Sequence, residues 1–486
     1  MRTAYSVETV RAAERKLMAE LPEGALMQRA AAGLAAACAG LLGRTSGTRI
    51  VLLVGSGDNG GDALYAGARL ARRGAAVTAV LLAPDRAHPG GTEALRAAGG
   101  RTVDGPSAAD PARVMAGARL VLDGIVGIGG RGGLRPDARI WAQAAREAGA
   151  RVVAVDLPSG VEAGTGEVAG EAVHADATVT FGTYKPGLLV DPAAGRAGAL
   201  RLVDIGLAPH LPEQPDLEAL QHADVAALLP VPAAESDKYR RGVVGVVAGS
   251  ARYPGAAVLA VAGAFGGGAG AVRYVGPAAD AVIARFPETL VHAGPPHKAG
   301  RVQAWVVGPG LGDGPDARRA LDDVLDSDVP VLVDADGLRL LDGDRVGARR
   351  AATLLTPHAG EAAALLGASR EDVEARRLDS VRRLAGEFRA SVLLKGSTTL
   401  VADGTGGPVR VNPTGTGWLA TAGSGDVLSG LTGSLLAAGL GVVDAGSAAA
   451  YLHGLAARFA AGHGGAPVRA SQVARALPAA WRSVRG

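Results

Sequence analysis

Short, uninterrupted apolar runs recur along this chain, each followed by a glycine-rich turn and then a helical pattern. A strand that is apolar on both sides has no solvent-facing side, so it belongs in a parallel sheet covered by helices on both faces. In the first half, strands are expected at 49–54, 76–82, 119–123, 151–156, 177–181 and 200–203, with helices at 61–73, 92–98 and 136–148 after two helices within 6–42. A second series places strands at 242–248, 302–307, 330–334, 391–394 and 399–402. Its helices are expected at 256–265, 360–366, 370–388, 427–438, 444–461 and 470–484. Residues 208–222 carry three prolines and several polar side chains and read as a linker. The expected fold is therefore α/β with two domains, 1–208 and 223–486, joined by 209–222, and each would bind ligands at the C-terminal ends of its strands.

Composition narrows the chemistry. Only 3% of the 486 residues are aromatic, so the layers must pack mainly through Ala, Val and Leu. The net charge is +3 and no run of five like charges occurs, which argues against nucleic acid as a partner. Cys38 stands alone, so no disulfide within the chain is expected. No leader peptide and no charge-free span of about 20 apolar residues is apparent, so a cytoplasmic protein without a membrane partner is expected. There are five lysines, and Lys395 is the one embedded in a motif of small and hydroxyl residues.

Three loops of the first half follow strands. Gly55-Ser-Gly-Asp58-Asn59-Gly60-Gly61-Asp62 opens a helix and offers free amides for an anion. Asp123 precedes a second glycine-rich loop, Gly127-Ile128-Gly129-Gly130-Arg131-Gly132-Gly133. Val155-Asp156-Leu-Pro-Ser159-Gly160 is the third. Asn59, Asp123 and Ser159 offer only hard oxygen ligands, which suit an alkali or alkaline-earth cation and not zinc. Asp156 is the best acid/base candidate, because a carboxylate at a strand end can be partly desolvated. Taken singly, Asp123 and Asp156 also read as residues that cap loops.

This ordered set, with Thr180-Phe-Gly-Thr-Tyr-Lys-Pro-Gly187, resembles the NAD(P)H-hydrate epimerase domain over nearly all of residues 1–208. The resemblance implies a Rossmann-like fold. It implies potassium held by Asn59, Asp123 and Ser159, and substrate contacts from 58–62, 127–133 and Asp156, with Asp156 as proton carrier. Asp58 stands where that family usually has Asn, and Ala63 where it usually has Gly.

In the second half, Gly423-Ser-Gly425-Asp426 opens an apolar helix. A helix start presents unpaired amides and the positive dipole end, so it attracts phosphate. An acidic residue beside a phosphate needs a task, and Asp426 reads as a general base held against a hydroxyl. Val307-Gly-Pro-Gly310-Leu-Gly312, Asp334-Ala-Asp336, Thr356-Pro-His358-Ala-Gly-Glu361 and Leu394-Lys395-Gly396-Ser397-Thr398-Thr399 are further strand-end motifs. Each also has a plain reading as a turn or helix start. Together they resemble the ADP- or ATP-dependent NAD(P)H-hydrate dehydratase, a relative of ribokinase-like kinases, over about 220–486. The resemblance implies hydrate contacts from Ala256, Gly310, His358 and Asp426, and nucleotide contacts from Lys395 to Thr399 and Gly425, with magnesium on the ADP or ATP.

The combined expectation is a bifunctional enzyme of nicotinamide nucleotide repair. One half interconverts the R and S hydrates of NAD(P)H; the other dehydrates the S form and releases phosphate with AMP or ADP. Homo-oligomerisation is expected, since such domains often associate. Two other readings stay open on the residues alone. One is a small-molecule kinase acting on a vitamin hydroxymethyl group. The other makes the first half a nucleotide-binding regulatory module.

Overall fold

The computed structural model describes residues 1–107 and 110–486. It divides into two compact units, Thr3–Asp216 and Leu217–Gly486, the latter joined by Met1–Arg2. The segment that reads as a linker thus splits at Asp216 and contains a strand, Leu217–Ala219, because Leu217 and Ala219 are buried.

The strands are β1 (Arg2–Ala4), β2 (Arg49–Val54), β3 (Ala76–Leu81), β4 (Arg101–Asp104), β5 (Leu120–Gly124), β6 (Arg151–Val155), β7 (Ala177–Phe181) and β8 (Ala199–Val203). In the first unit the order is β4-β3-β2-β5-β6-β7-β8, and every pairing is parallel. Strand order reverses between β2 and β5, so the loops after them flank a crevice at the carboxyl edge. Val51, Leu53 and Val121 face one layer of helices, while Ile50, Leu52, Leu120 and Leu122 face the other. This two-sided burial is why these strands read as continuous apolar runs. The helix Ala25–Leu42 is long and apolar enough to cross a bilayer, yet Ala31, Leu34 and Cys38 are fully buried in the core.

The second unit adds β9 (Leu217–Ala219), β10 (Val243–Val247), β11 (Ala271–Val275), β12 (Leu290–His292), β13 (Ala304–Val307), β14 (Val331–Val333), β15 (Thr353–Leu355), β16 (Ser391–Leu394), β17 (Thr399–Ala402) and β18 (Val409–Asn412). Its order runs β9-β18-β17-β16-β15-β14-β13-β10-β11-β12. The strands from β16 through β12 are parallel, and β17 makes antiparallel pairs with β16 and β18.

Two helices packed on the central strands β10 and β13 and their neighbours approach to backbone contact. A Cβ on Gly263 would lie 2.1 Å from the Val427 carbonyl oxygen, and one on Gly430 would lie 1.8 Å from that of Ala260. Helix Pro254–Gly266 therefore meets helix Ser424–Ala437 with no side chain between them at these points. That second helix starts three residues before the expected 427, so Asp426 lies inside its first turn. The stretch expected as one helix, 370–388, is two, Arg370–Ala375 and Arg377–Phe388, broken at Arg376 (φ −125°, ψ 54°).

Candidate functional site

Each unit gathers its motifs at the carboxyl ends of its strands. In the first unit, Asp123 ends β5 and is fully buried. Ser159 donates its amide to Asp123 Oδ2 (2.7 Å) and its hydroxyl to Oδ1 (2.6 Å). Burial pushes the Asp123 carboxyl up to about 6, against the pull of these bonds. Its hydrogen-bond donors, Ser159 and the Ile125 amide, are all neutral. Asn59, on helix Asp58–Arg72, packs on the second glycine loop: a Cβ on Gly127 would lie 3.1 Å from Asn59 Oδ1. Asn59 Nδ2 is buried without a hydrogen-bond partner among the described residues. The Ser159 hydroxyl also reaches the Val126 carbonyl of that loop (3.2 Å), so Asp123 and Ser159 touch, and Asn59 meets the same loop. An oxygen-rich set around a buried anion that has no basic partner among the described residues fits a hard alkali or alkaline-earth cation.

Asp156 follows β6 in a left-handed backbone (φ 65°), a conformation that only surrounding structure can sustain in a residue with a side chain. Its Oδ1 accepts from Lys185 Nζ (2.5 Å), the Thr180 hydroxyl (2.9 Å) and the Phe181 amide (3.4 Å). Lys185 is 1% exposed and also bonds the Thr180 hydroxyl and the Phe181 carbonyl. Around this pair stand Glu14, Asp58 and Asp62. Burial raises the Asp62 carboxyl well above its ordinary range, reinforced by the negative charges of Asp156, Asp58 and Glu14, and one Asp62 oxygen is buried without a partner. Burial likewise raises Glu14, against the attraction of Lys185. Asp58 itself is exposed at the first position of its helix, where the dipole favours it. In the second loop Arg131 is exposed, while Gly133 packs against Gly170.

Sequence reasoning missed Lys185 and Glu14 as members of this site. Lys185 could have been found, because it lies in the Tyr-Lys-Pro-Gly motif of a lysine-poor chain. Glu14 sits on helix Val7–Glu20 with no motif around it.

In the second unit, Gly423 is left-handed (φ 85°), and a Cβ there would strike Leu259 at 2.3 Å. Ser424, Gly425 and Asp426 then form the first helical positions. A Cβ on Gly425 would lie 3.4 Å from Lys395 Nζ and 3.9 Å from Asp334 Oδ2. Lys395 pairs with Asp334 (2.7 Å) and with Glu361 (3.6 Å). The other Asp334 oxygen accepts the Ser429 hydroxyl at 2.6 Å. Burial pulls the Lys395 ammonium down, but Asp334 and Glu361 outweigh it and hold it above its ordinary range. Burial pushes Asp426 up to about 7, helped by the negative charge of Asp334 and opposed by Lys395. The outcome is a carboxyl that titrates near neutrality beside a fixed ammonium and a helix start.

His358 caps helix Ala359–Leu366: its Nδ1 accepts from the Gly360 and Glu361 amides, and Glu361 Oε2 accepts from the His358 amide. The imidazole is 59% exposed, with Nε2 3.4 Å from Glu361 Oε1. Gly310 is left-handed (φ 61°) and packs on helix Pro254–Gly266, where its Cβ would lie 2.6 Å from that of Ala256. Gly312 donates to Asp336 Oδ2. In the Lys395–Thr399 turn, Thr398 and Thr399 are buried, Lys395 is half-buried, and Gly396 and Ser397 are exposed. His453, which no motif flags, is buried with Nε2 unpartnered, and burial lowers it to about 4.

Comparisons with known proteins agree with both halves. A family model described as NAD(P)H-hydrate dehydratase matches residues 244–479. A model described as YjeF-related protein N-terminus matches residues 23–187. The chain is 50% identical to the bifunctional NAD(P)H-hydrate repair enzyme Nnr of Mycobacterium leprae, over 97% of this chain and 98% of that protein. It is 36% identical to the enzyme of the same name from Corynebacterium glutamicum, over 100% and 99% of the two chains. Among solved structures it is similar to the ADP/ATP-dependent NAD(P)H-hydrate dehydratase from Bacillus subtilis co-crystallized with ATP/Mg2+. That match has 29% identity and a TM-score of 0.51, and it covers 55% of this chain and 99% of that one.

Proposed function

The chain belongs to the family of bifunctional NAD(P)H-hydrate repair enzymes, and on that premise we propose which residues carry its two reactions. The observation that carries the reading is the Asp426 carboxyl, raised to about 7 in the first turn of a glycine-initiated helix beside the Lys395–Asp334 pair.

In the C-terminal unit, Asp426 takes the proton of the C6 hydroxyl of the S hydrate. The freed oxygen attacks the terminal phosphoryl group of ADP or ATP, releasing AMP or ADP. The C6–O bond then breaks with its electrons on the departing phosphate, and loss of a proton from C5 restores the ring double bond. The amides of Gly423 to Gly425 and the Lys395 ammonium stabilise charge on the transferring group, each worth about 3 kcal/mol in such sites. Gly396, Ser397, Thr398 and Thr399 line the nucleotide side, and Ala256, Gly310 and His358 line the hydrate side. Magnesium supplies charge neutralisation on the phosphates. Among the described residues no group of three His, Cys, Asp or Glu is arranged to hold a metal by itself. Asp334, Asp336 and Glu361 are the carboxylates that would lend negative charge to a magnesium ion brought in with the nucleotide.

In the N-terminal unit, Asp156 and its partner Lys185 hold the proton that is passed to the leaving C6 hydroxyl. The ring nitrogen pushes out water, and water returns on the opposite face. The loops 58–62 and 127–133 bind the nucleotide portion. Asn59, Asp123 and Ser159 would hold potassium, whose charge would offset the buried Asp123 carboxylate.

The test mixes hydrated NADH with ADP or ATP and follows the return of reduced-nicotinamide absorbance together with inorganic phosphate. Equal yields of NADH and phosphate are expected. A stable phosphorylated product in place of phosphate would make the second unit a kinase and overturn the reading.

A further inference from the structure

The break between helices Arg370–Ala375 and Arg377–Phe388 places a buried cation behind the Lys395–Thr399 turn. Arg377 is 6% exposed. Its Nη2 donates to the carbonyls of Leu394 (3.3 Å), Lys395 (3.1 Å) and Thr398 (3.0 Å). Gly396 passes so close that a Cβ there would lie 2.3 Å from the same nitrogen. A Cβ at this position would have to push the guanidinium out of its place behind the turn.

In a trans peptide the carbonyl and the following amide point in opposite directions. With the Lys395 carbonyl turned onto Arg377, the Gly396 amide faces away from it. A run of such amides makes an anion-binding concavity. The turn is fixed from two other sides. The Lys395 amide donates to the Pro357 carbonyl (2.9 Å), and Gly415 packs on the Ser397 carbonyl, where its Cβ would lie 2.5 Å away. The Lys395 ammonium, at the start of this turn, is held by Asp334.

We propose that Arg377 is a positioning residue for the nucleotide-dependent step: its guanidinium gathers the turn's carbonyls and so presents the Gly396 amide and the Lys395 ammonium to the polyphosphate. This rests on the assignment of Lys395–Thr399 to the nucleotide. Arg377 is buried behind the turn, on the side of its carbonyls. It acts by shaping the turn, through a planar fork of donors that a lysine ammonium does not reproduce.

The test uses the full chain with Arg377→Lys, Gly396→Ala and Lys395→Met, measuring KM for ADP or ATP and for hydrated NADH separately. Circular dichroism and denaturant unfolding of the same samples, compared with the wild-type chain, serve as the folding control for the second unit. Arg377→Lys is expected to raise the nucleotide KM about tenfold or more, with the hydrate KM within about twofold, since hydrogen bonds to charged groups are lost. Gly396→Ala forces the guanidinium aside from the other direction and is expected to reproduce the split. It is the deciding variant if Arg377→Lys fails to fold. A nucleotide KM that stays at the wild-type value, or both KM values rising in equal proportion, would overturn the proposal. Lys395→Met separates the two levels of the argument. If it moves the nucleotide KM and the other variants do not, only the role of Arg377 falls. If it leaves that KM unchanged, the assignment of the turn falls and the role of Arg377 with it.

Discussion

The two units solve one electrostatic problem differently. Each holds one lysine paired with a carboxylate at a strand end, Lys185 with Asp156 at 2.5 Å and Lys395 with Asp334 at 2.7 Å. In the first unit the ammonium is spent on the carboxylate assigned to the chemistry. In the second it is spent on a neighbour, and the reacting carboxyl, Asp426, is left to rise to about 7. Burial, with the negative charge of Asp334 beside it, is what poises Asp426 to exchange a proton near neutrality.

The sharpest way to break this comparison is Asp426→Asn. Dehydration is expected to fall roughly a thousandfold, the range of a lost general base, while nucleotide binding and epimerisation persist. Near-normal turnover would remove Asp426 from the reaction. Lys185→Met addresses the other unit. It strands a buried Asp156 charge, so it should cost about 3–5 kcal/mol in the stability of that unit and about a hundredfold in epimerisation. Denaturant unfolding and epimer exchange followed by chromatography check both. Dehydration unaffected by this change is the outcome that keeps the sites separate.

The pH profile gives a smaller but more specific test. A base must be ionised to act, so kcat/KM for dehydration should plateau above about pH 7 and fall about tenfold per pH unit below it. A limb near pH 4 would mean that Asp426 keeps its ordinary carboxylate behaviour. Finally, exchanging potassium for a bulky organic cation should slow epimer exchange and leave dehydration unchanged. Equal loss of both would place the cation requirement elsewhere.

Much of this was legible in the sequence, because strand-end loops carry their chemistry in contiguous motifs. The glycine turn before Asp426, the Asp334 and Asp336 carboxylates, Lys395 and the loops around Asn59, Asp123 and Asp156 all occupy carboxyl ends of strands. The expectation of parallel sheets covered by helices follows from the same alternation, and the mostly parallel sheets match it; the Rossmann-like and ribokinase-like expectations come with the family resemblance of the motifs. What pattern did not reveal is what distant segments bring. Glu14 reaches its cluster from an N-terminal helix, and Ser429 reaches Asp334 across 95 positions of chain. Arg377 reads as one more surface arginine until the helix break turns it inward. Strands such as Leu290–His292 and Thr353–Leu355 are three residues long, too short for any periodicity to register.

The bare-backbone crossing at Gly263 and Gly430 has a consequence for anyone wishing to retune the enzyme. The two helices are already at their closest approach there, so the start of the Asp426 helix has no slack on that side. On the proposed assignment, room for a bulkier phosphate donor would have to come from Lys395 to Thr399. Swapping either of these glycines for alanine would act as a wedge, tilting Asp426 and Ala256 together and not one at a time.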